Sequence, residues 1–418
     1  MADIDATRLW QRLMSLAEIG ATAGGGVDRQ ALTAGERDAW RLVIGWAEEA
    51  GLVASTDDAA NLFLTWRGRD ASLPPLMVGS HLDSQPSGGK FDGAYGVMAA
   101  LEAVTALAAS GATPERDVIV VAWMNEEGSR FAPGMMGSEA FAGMRPLQAI
   151  RAVRDAEGIS AGEAIDDHLA AFADLPRRPL GLSIHAYIEP HIEQNDLLEK
   201  AGKTIGVVTG IQGKYTYEVE ILGRRGHAGT LPMADRRDAV VAFSRVMTAL
   251  EEHIGGMDPE VKFTVGRVEV QPNAPSVVAE KVRFRIDLRH PDNAVIEECD
   301  GLIRSLAASA AAPCEIALTP LVSAASNRFD AGIREKIADI AARRGIPAMP
   351  ILSFAGHDAR QMARLCPTAM IFIPCRNGVS HAEDEWADPV HVSAGAQVLC
   401  DLISDSLAAN QARMRGLA

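Results

Sequence analysis

The chain has 418 residues, and its length, charge and cysteine content exclude several classes of protein. A length above about 300 residues predicts two domains, because single hydrophobic cores stop growing near that size. Lys plus Arg total 40 and Asp plus Glu total 55, so the net charge is −15 at pH 7. This acidic composition argues against nucleic acid and anionic membranes as partners, since both require a basic binding surface. Five widely spaced cysteines without a CxxC pair indicate neither a disulfide framework nor a structural zinc knuckle, and they fit a reducing compartment.

The first predicted element is an amphipathic helix rather than a targeting segment. Over Ala6–Ile19, the side chains of Leu9, Leu13 and Leu16 share one helix face. The acids that precede this helix are unlike the basic start of a signal peptide. The longest apolar runs, such as Val118–Met124, are too short to span a bilayer. We therefore expect a cytoplasmic protein with no membrane partner.

Helices and strands alternate in the first third of the chain. Helical periodicity covers Ala34–Ala50 and Gly96–Ala109, and apolar strands are predicted at Leu76–Gly79 and Asp117–Met124. Apolar strands flanked by helices indicate an α/β layer with a buried sheet. In such sheets the functional side chains gather where the strands end.

From about Gly210 the pattern changes to the order β-α-β-β-α-β, which is typical of a ferredoxin-like domain. The elements are predicted at Lys214–Leu222, Asp235–Ile254, Lys262–Gln271, Lys281–Arg289, Asn293–Ala310 and Cys314–Pro320. A helix at Ile333–Arg344 and a strand at Thr368–Ile373 then return to the α/β pattern. The sequence therefore predicts an α/β main domain of residues 1–208 and 326–418, with a mixed sheet flanked by helices. An α+β domain of residues 209–325 is inserted into it.

Residues that commonly bind metals follow the predicted strands. His81 and Asp83 follow the first apolar strand two residues apart, so we expect the Asp83 carboxylate to accept the second ring N–H of His81. Asp92 lies in GGKFDGAYG, where glycines allow a tight turn around a carboxylate. Glu126 and Glu127 follow the second strand, and adjacent side chains point apart. One of them therefore suits a ligand and the other a general base.

Two further histidines, His191 in EPHIEQ and His381 in GVSHAEDEW, add imidazole donors. A single histidine near a strand end is usually structural, and paired glutamates usually form a solvated turn. Five nitrogen and oxygen donors at the ends of buried strands instead favour a metal site. Donors of this kind, without thiolate, suit Zn²⁺, Mn²⁺, Co²⁺ or Ni²⁺. The HExxH and GxSxG motifs are absent from the sequence.

Eight motifs, in order, resemble the hydantoinase/carbamoylase branch of the aminoacylase-like di-metal amidohydrolases. They are GSHLDS, GGKFDGAYGV, NEEGSRF, MMGSEAF, HIEQ, GRRGHAGTLPMADRRDA, AGHDA and GVSHAEDEW. The resemblance runs from about Gly24 to Val392. It implies a main domain that holds two divalent metal ions (Zn, Mn, Co or Ni) and an inserted lid domain through which the protein forms a homodimer.

The resemblance also implies the role of each ligand residue. Asp92 resembles the carboxylate that bridges both metals. His81 and His191 would complete one metal site, and Glu127 and His381 would complete the other. A histidine at position 191 distinguishes this branch from the peptidase and aminoacylase branches, which generally place a carboxylate there.

Further residues resemble the catalytic and substrate-binding groups of the branch. Glu126 resembles the general base, and Asp83 the acid that orients a metal-bound imidazole. His227 of GRRGHAGT resembles the histidine that stabilises the oxyanion in the site of the partner subunit. Arg289 of DLR resembles the arginine that binds the substrate carboxylate, for which a forked guanidinium is suited. Gln194 of HIEQ resembles a substrate amide contact.

The substrate pocket departs from the pattern of the branch at three positions. Ser276, in PNAPSVVAE, stands where a substrate-binding asparagine is usual, and a hydroxyl cannot present an amide pair. Phe354 stands where glycine is common, three residues before His357, which resembles another substrate contact. Asn195 also replaces a usual glycine. We therefore expect an intact catalytic centre with a modified pocket.

The implied reaction is hydrolysis of the ureido (N-carbamoyl) C–N bond of a small carboxylated substrate, with release of ammonia and carbon dioxide. N-carbamoyl-L-amino acids, allantoate and ureidoglycolate are the candidate substrates. One alternative is an aminoacylase or dipeptidase that cleaves ordinary amides. The other is a metal-bearing binding protein without turnover, whose site Phe354 would occlude.

Overall fold

The structure is a computed structural model that describes residues 2–415, with side chains described through residue 406. The chain divides into two compact units. The first comprises Met1–Thr209 and Phe329–Ala418, and the second comprises Gly210–Arg328. Within the described part of the chain, no helix combines the length and apolar character needed to cross a membrane.

The strands, in chain order, are β1 (Val53–Asp57), β2 (Leu62–Trp66), β3 (Leu76–His81), β4 (Val118–Trp123), β5 (Arg177–Arg178), β6 (Ala186–Ile192), β7 (Ile205–Ile211), β8 (Gly213–Leu222), β9 (Gly226–His227), β10 (Lys262–Gln271), β11 (Val277–Val278), β12 (Lys281–His290), β13 (Glu315–Ala324), β14 (Asn327–Arg328), β15 (Ala348–Ser353) and β16 (Thr368–Ile373).

The helices are α1 (Ala6–Ala17), α2 (Ala34–Glu49), α3 (Ala94–Ala109), α4 (Met136–Phe141), α5 (Leu147–Arg151), α6 (Ala161–Ala170), α7 (Leu197–Lys200), α8 (Ala239–Ile254), α9 (Asn293–Ala310), α10 (Ala331–Arg343), α11 (Ala359–Met362) and α12 (Pro389–Arg415), with short 3-10 helices at Met233–Asp235 and Arg376–Gly378.

A mixed sheet forms the centre of the first unit, as the sequence predicts. Its strand order includes β7-β16-β6-β3-β4-β2-β1-β5. The four strands β16, β6, β3 and β4 run parallel. The pairs β2–β4, β1–β2 and β7–β16 are antiparallel, and β5 pairs in parallel with β1. Every residue of these four parallel strands is buried, and α3, which packs on them, is buried along almost its whole length. Such strands are continuously apolar because helices cover both faces of the sheet.

The parallel strands place their carboxyl ends along one edge of the sheet. His81, the last residue of β3, pairs with Trp123, the last residue of β4. His191 of β6 pairs with Phe372 of β16. This common edge brings together side chains that are far apart in the sequence.

The second unit contains a four-stranded antiparallel sheet with the order β10-β12-β8-β13. The chain order is β8-α8-β10-β12-α9-β13, which is the ferredoxin-like arrangement. Alternate residues of β8 and β12, including Val219 and Phe284, form a core with the buried faces of α8 and α9. The short strands β9 and β11 pair separately.

Helix α8 begins at Ala239, four residues later than the predicted start at Asp235. The side chain of Asp238 accepts hydrogen bonds from the N–H groups of Val240 and Val241 and so caps this helix. Asp235 instead ends the separate 3-10 turn. The predicted start therefore falls in that separate turn and not in α8.

Candidate metal centre

Three buried side chains converge at the carboxyl edge of the main sheet. His81 and His191 come from β3 and β6, and Asp92 lies in the turn before α3. Asp92 Oδ1 is 3.1 Å from His191 Nε2 and 3.7 Å from His81 Nε2. Gly93 has a φ of +61°, and a Cβ atom there would lie 2.3 Å from the His81 ring. A glycine is therefore needed beside Asp92 for the ring and the carboxylate to meet.

The second oxygen of Asp92 faces a different pair of ligands. His381 Nε2 lies 3.2 Å from Asp92 Oδ2 and 3.3 Å from Glu127 Oε2. Gln85 Nε2 donates a hydrogen bond of 2.8 Å to Glu127 Oε2 and orients that carboxylate. Asp92 thus belongs to two groups of three possible metal ligands, in each of which the donor atoms lie within 4.8 Å of one another.

The hydrogen bonds of the two buried histidines prepare their rings for metal binding. His81 Nδ1 lies 3.0 Å from the carbonyl oxygen of Asp83, and His191 Nδ1 lies 2.9 Å from that of Ile192. Because a carbonyl only accepts, each Nδ1 carries a proton, so in the neutral ring Nε2 is the atom with the lone pair. In His191 that lone pair accepts the N–H of Gly93 at 3.2 Å. His81 Nε2 is buried without a hydrogen-bond partner among the described residues.

The spacing of these atoms fits divalent cations. Donor atoms that share a tetrahedral ion at about 2.1 Å lie about 3.4 Å apart. The nitrogen–oxygen distances from Asp92 and Glu127 to the three histidines range from 3.1 to 3.7 Å. Imidazole nitrogens and carboxylate oxygens without thiolate are also the donors expected for Zn²⁺, Mn²⁺, Co²⁺ or Ni²⁺.

The sequence predicts that the Asp83 carboxylate accepts the ring N–H of His81, but the backbone carbonyl of Asp83 accepts it instead. Strand β3 ends at His81, so the backbone turns there and the Asp83 carbonyl meets the ring, while Asp83 Oδ1 lies 3.5 Å from Nδ1. The two carboxylate oxygens of Asp83 accept the backbone N–H groups of Glu126 and Glu127, each at 3.2 Å. Asp83 therefore holds the turn that carries the adjacent glutamates.

These adjacent glutamates point to different partners. Glu126 Oε2 lies 3.6 Å from His81 Nε2, whereas Glu127 Oε2 lies near His381. Asn125 precedes them with a φ of +53°, a left-handed conformation that aims the turn into the site. Burial raises the pKa of Glu126 well above its ordinary value despite the opposing charge of His81. Burial also raises the pKa of Glu127 to about 7.

The imidazoles and Asp92 stabilise one another electrostatically. The hydrogen bond to Asp92 raises the pKa of His381 to about 9. Burial opposes charge on His81, but the carboxylates of Glu126 and Asp83 outweigh it and raise the pKa of His81. Burial likewise opposes charge on Asp92, yet hydrogen bonds with His191 and His381 hold its pKa well below the usual range. The centre therefore concentrates negative charge that cations stabilise.

Two residues predicted to contact substrate lie directly beside the ligands. Gln194 Nε2 donates a hydrogen bond of 2.7 Å to Asp92 Oδ2. The His357 ring packs against His191 with a centroid distance of 4.5 Å, and its Nε2 lies 3.0 Å from Ser353 Oγ. Burial lowers the pKa of His357 well below its ordinary value, so the ring is neutral. Asn195 and Phe354, two of the residues that differ from the usual pattern of the branch, are both partly buried.

The remaining predicted residues belong to the inserted unit. His227 lies in β9, and its Nδ1 accepts the N–H of Gly229 at 3.0 Å. The carbonyl of Ser276 accepts the N–H of Ala228 at 3.0 Å, so His227 and Ser276 lie on neighbouring segments. Arg289 lies on β12, where its Nε donates a hydrogen bond of 2.7 Å to a carboxylate of the same strand.

Two buried glutamates near the ligands were not singled out from the sequence. Glu189 accepts hydrogen bonds from Ser80 Oγ at 2.8 Å and from the Ala359 N–H at 2.7 Å. Glu385 accepts a hydrogen bond from the N–H group of Asp92, and its Oε2 lies 2.9 Å from Ser380 Oγ. Both lie in motifs quoted above, Glu189 within the buried strand β6 and Glu385 beside two other acids, and a carboxylate charge alone does not indicate burial.

Three comparisons relate the chain to known proteins. The family model described as "Peptidase family M20/M25/M40" matches residues 77–405. The N-carbamoyl-L-amino-acid amidohydrolase of Rhizobium meliloti is 39% identical over 402 residues, which cover 95% of each chain. That of Geobacillus stearothermophilus is 38% identical over 402 residues, covering 95% of this chain and 97% of the relative. The crystal structure of a hydantoinase/carbamoylase family amidase from Burkholderia multivorans has a TM-score of 0.87 and 40% identity, and the match covers 97% of this chain and 98% of that chain.

Proposed function

The chain belongs to peptidase family M20/M25/M40, and on that premise we propose that it is a metal-dependent amidohydrolase that cleaves a ureido C–N bond. The observation that supports this most strongly is the position of Asp92 between two groups of imidazole and carboxylate donors. The names of the two amidohydrolase relatives support the type of bond cleaved.

We propose that each subunit binds two divalent ions. One would be held by His81, Asp92 and His191, and the other by Asp92, Glu127 and His381. A divalent ion of this kind polarises a substrate carbonyl and lowers the pKa of water. Zn²⁺, Mn²⁺, Co²⁺ and Ni²⁺ all suit these donors.

Glu126 is the proposed general base. Its carboxylate adjoins the first ligand group, 3.6 Å from His81 Nε2, but Glu126 is not needed to complete either group. It accepts a proton from the attacking water and returns that proton to the leaving nitrogen. Burial raises the pKa of Glu126, which favours its holding the proton between the two steps.

The resemblance supplies the proposed roles in the inserted unit. His227 would stabilise the oxyanion, and Arg289 would bind the substrate carboxylate. Ser276 would contact the substrate, as would Gln194 and His357 of the main unit. The inserted unit would act as a lid and form a homodimer. All five cysteines are buried and free, which fits the proposed cytoplasmic location.

An N-carbamoyl-L-amino acid is the proposed substrate, with allantoate and ureidoglycolate as the other ureides to test. Hydrolysis would release ammonia, carbon dioxide and the free amine. The metal-free protein, reconstituted with one metal at a time, should release ammonia from at least one of these ureides. Cleavage of N-acetyl amino acids or dipeptides alone would identify an aminoacylase or dipeptidase instead. Binding of a ureide without turnover would identify a binding protein.

The base assignment has its own test. Glu126→Gln should lower kcat about 10²- to 10⁴-fold, the usual contribution of a general base. Metal content should stay unchanged, because both ligand groups remain complete. Glu102→Gln makes the same chemical change at a buried carboxylate that binds Arg8 elsewhere in the unit, and it serves as the control. Full activity of the Glu126 variant would remove the assignment.

A further inference from the structure

We propose that Glu385 is a positioning residue that fixes the two Asp92-sharing ligand groups relative to each other, an inference that rests on the proposed metal-dependent function. Glu385 is 1% exposed, and it belongs to neither group of possible metal ligands. Its carboxylate instead connects two chain segments that each carry a ligand.

One oxygen of Glu385 holds the turn that carries Asp92. Glu385 Oε1 accepts the N–H groups of Phe91 at 2.9 Å and of Asp92 at 3.0 Å. Gly89 makes room for this carboxylate, since a Cβ atom at Gly89 would lie 2.0 Å from Glu385 Oε1. The backbone of the turn is therefore built around the Glu385 side chain.

The other oxygen of Glu385 reaches the segment that carries His381. Glu385 Oε2 lies 2.9 Å from the hydroxyl of Ser380, the residue before His381. The same hydroxyl lies 2.9 Å from Asp92 Oδ2, although Ser380 and Asp92 are 288 residues apart in the chain. Glu385 and Ser380 thus link the backbone of Asp92, the Asp92 oxygen that faces His381, and the backbone that precedes His381.

This arrangement predicts a selective effect on the second ligand group. His381 has a φ of +54°, so neighbouring contacts must hold its backbone in a left-handed conformation. Loss of Glu385 would free both Ser380 and the Asp92 turn. The group formed by Asp92, Glu127 and His381 would lose its spacing first, because His81 and His191 are held by their own strands.

The test measures metal affinity of the full chain by competition between the protein and a chromophoric chelator for Zn²⁺ or Mn²⁺. Glu385→Ala should weaken the binding of one of the two ions about 10- to 100-fold, the usual effect of losing a group that orients a ligand. Glu385→Gln should restore the affinity to within about threefold, because the amide oxygen still accepts two N–H groups and the amide nitrogen donates to Ser380. Glu102→Ala, which removes a buried carboxylate elsewhere, should leave the affinity unchanged.

Each result decides between the two proposals. If the wild-type protein binds no divalent ion, the proposed function fails. If the wild-type protein binds two ions and Glu385→Ala binds both with the same affinity, the positioning role fails. It also fails if Glu385→Gln weakens metal binding as much as Glu385→Ala does. If Glu385→Ala does not fold, Ser380→Ala tests the positioning role instead, because it removes only the hydroxyl that connects Glu385 to Asp92. We expect a loss of about tenfold there, and an unchanged affinity would overturn the inference.

Discussion

Replacing Asp92 by asparagine should remove one metal ion and leave the other. The substitution keeps the shape of the side chain but turns one oxygen into an NH₂ group, which has no lone pair for a cation. The structure predicts which oxygen is lost. Gln194 Nε2 and Ser380 Oγ both lie within hydrogen-bond distance of Asp92 Oδ2. An amide oxygen at that position accepts from both, so the NH₂ group turns towards His191.

His191 can accept that NH₂ group. Its Nδ1 proton is directed to the carbonyl of Ile192, and its Nε2 already acts as an acceptor, from the N–H of Gly93 at 3.2 Å. This Nε2 lies 3.1 Å from the position of Asp92 Oδ1. The variant therefore replaces a metal ligand by a hydrogen-bond donor in the group of His81 and His191. Losing a metal ligand should weaken metal binding at least as much as losing a residue that hydrogen-bonds to a ligand. The latter effect reaches about 100-fold. That factor corresponds to roughly 2.7 kcal/mol of binding free energy.

Elemental analysis of dialysed protein, with chelator competition, measures this outcome. We expect one ion per chain in Asp92→Asn and two in the wild type. His381→Ala in the Asp92→Asn background should abolish the remaining binding, whereas His191→Ala in that background should change nothing further. Two ions bound at wild-type affinity in Asp92→Asn, or an ion that depends on His191, would refute the shared-carboxylate reasoning.

Three further outcomes follow from other parts of the chain. Arg289→Ala should raise KM for carboxylated ureides more than for their amide-capped analogues, and equal effects would contradict the carboxylate-binding role. Chelation should abolish ammonia release, and added Zn²⁺, Mn²⁺, Co²⁺ or Ni²⁺ should restore it. Burial lowers the pKa of His168 to about 3, below its value of about 6.5 in an unfolded chain, so stability should fall as the pH drops from about 6.5 towards 3. Denaturant titrations of metal-free protein at pH 7.5 and 4.5 measure the free energy of unfolding. Between these pH values it should fall by roughly 2–3 kcal/mol less in His168→Leu than in the wild type. An equal fall in both proteins would exclude His168 as a source of the pH dependence.

Local patterns predicted the elements whose ends are marked by the sequence itself. Helix α9 begins and ends where expected, because Asp292 caps its N-terminus and Ile296, Cys299 and Ile303 repeat at helical spacing. Strand β16 likewise matches its apolar run, Thr368–Ile373. By contrast, α8 begins four residues after its predicted start, because Asp235 ends a separate 3-10 turn and Asp238 caps the helix.

The identity of hydrogen-bond partners was less predictable than the position of the ligands. Sequence spacing placed Asp83 beside His81, but the end of β3 decides whether a carbonyl or a carboxylate meets the ring. Gln194 was expected to contact substrate, and the structure places its amide on Asp92. These outcomes depend on backbone direction after a strand ends, which residue spacing alone does not specify.

The buried acids show a physical reason for this limit. Glu385 lies in HAEDEW beside Glu383 and Asp384, and charge alone gives the three acids the same expected exposure. A carboxylate becomes buried only where N–H and hydroxyl donors from distant segments surround it, because an unpaired buried charge is too costly. Those donors come from Phe91, Asp92 and Ser380. Metal ligands can therefore be proposed from local motifs, whereas the residues that hold them in place emerge only from contacts between segments far apart in the chain.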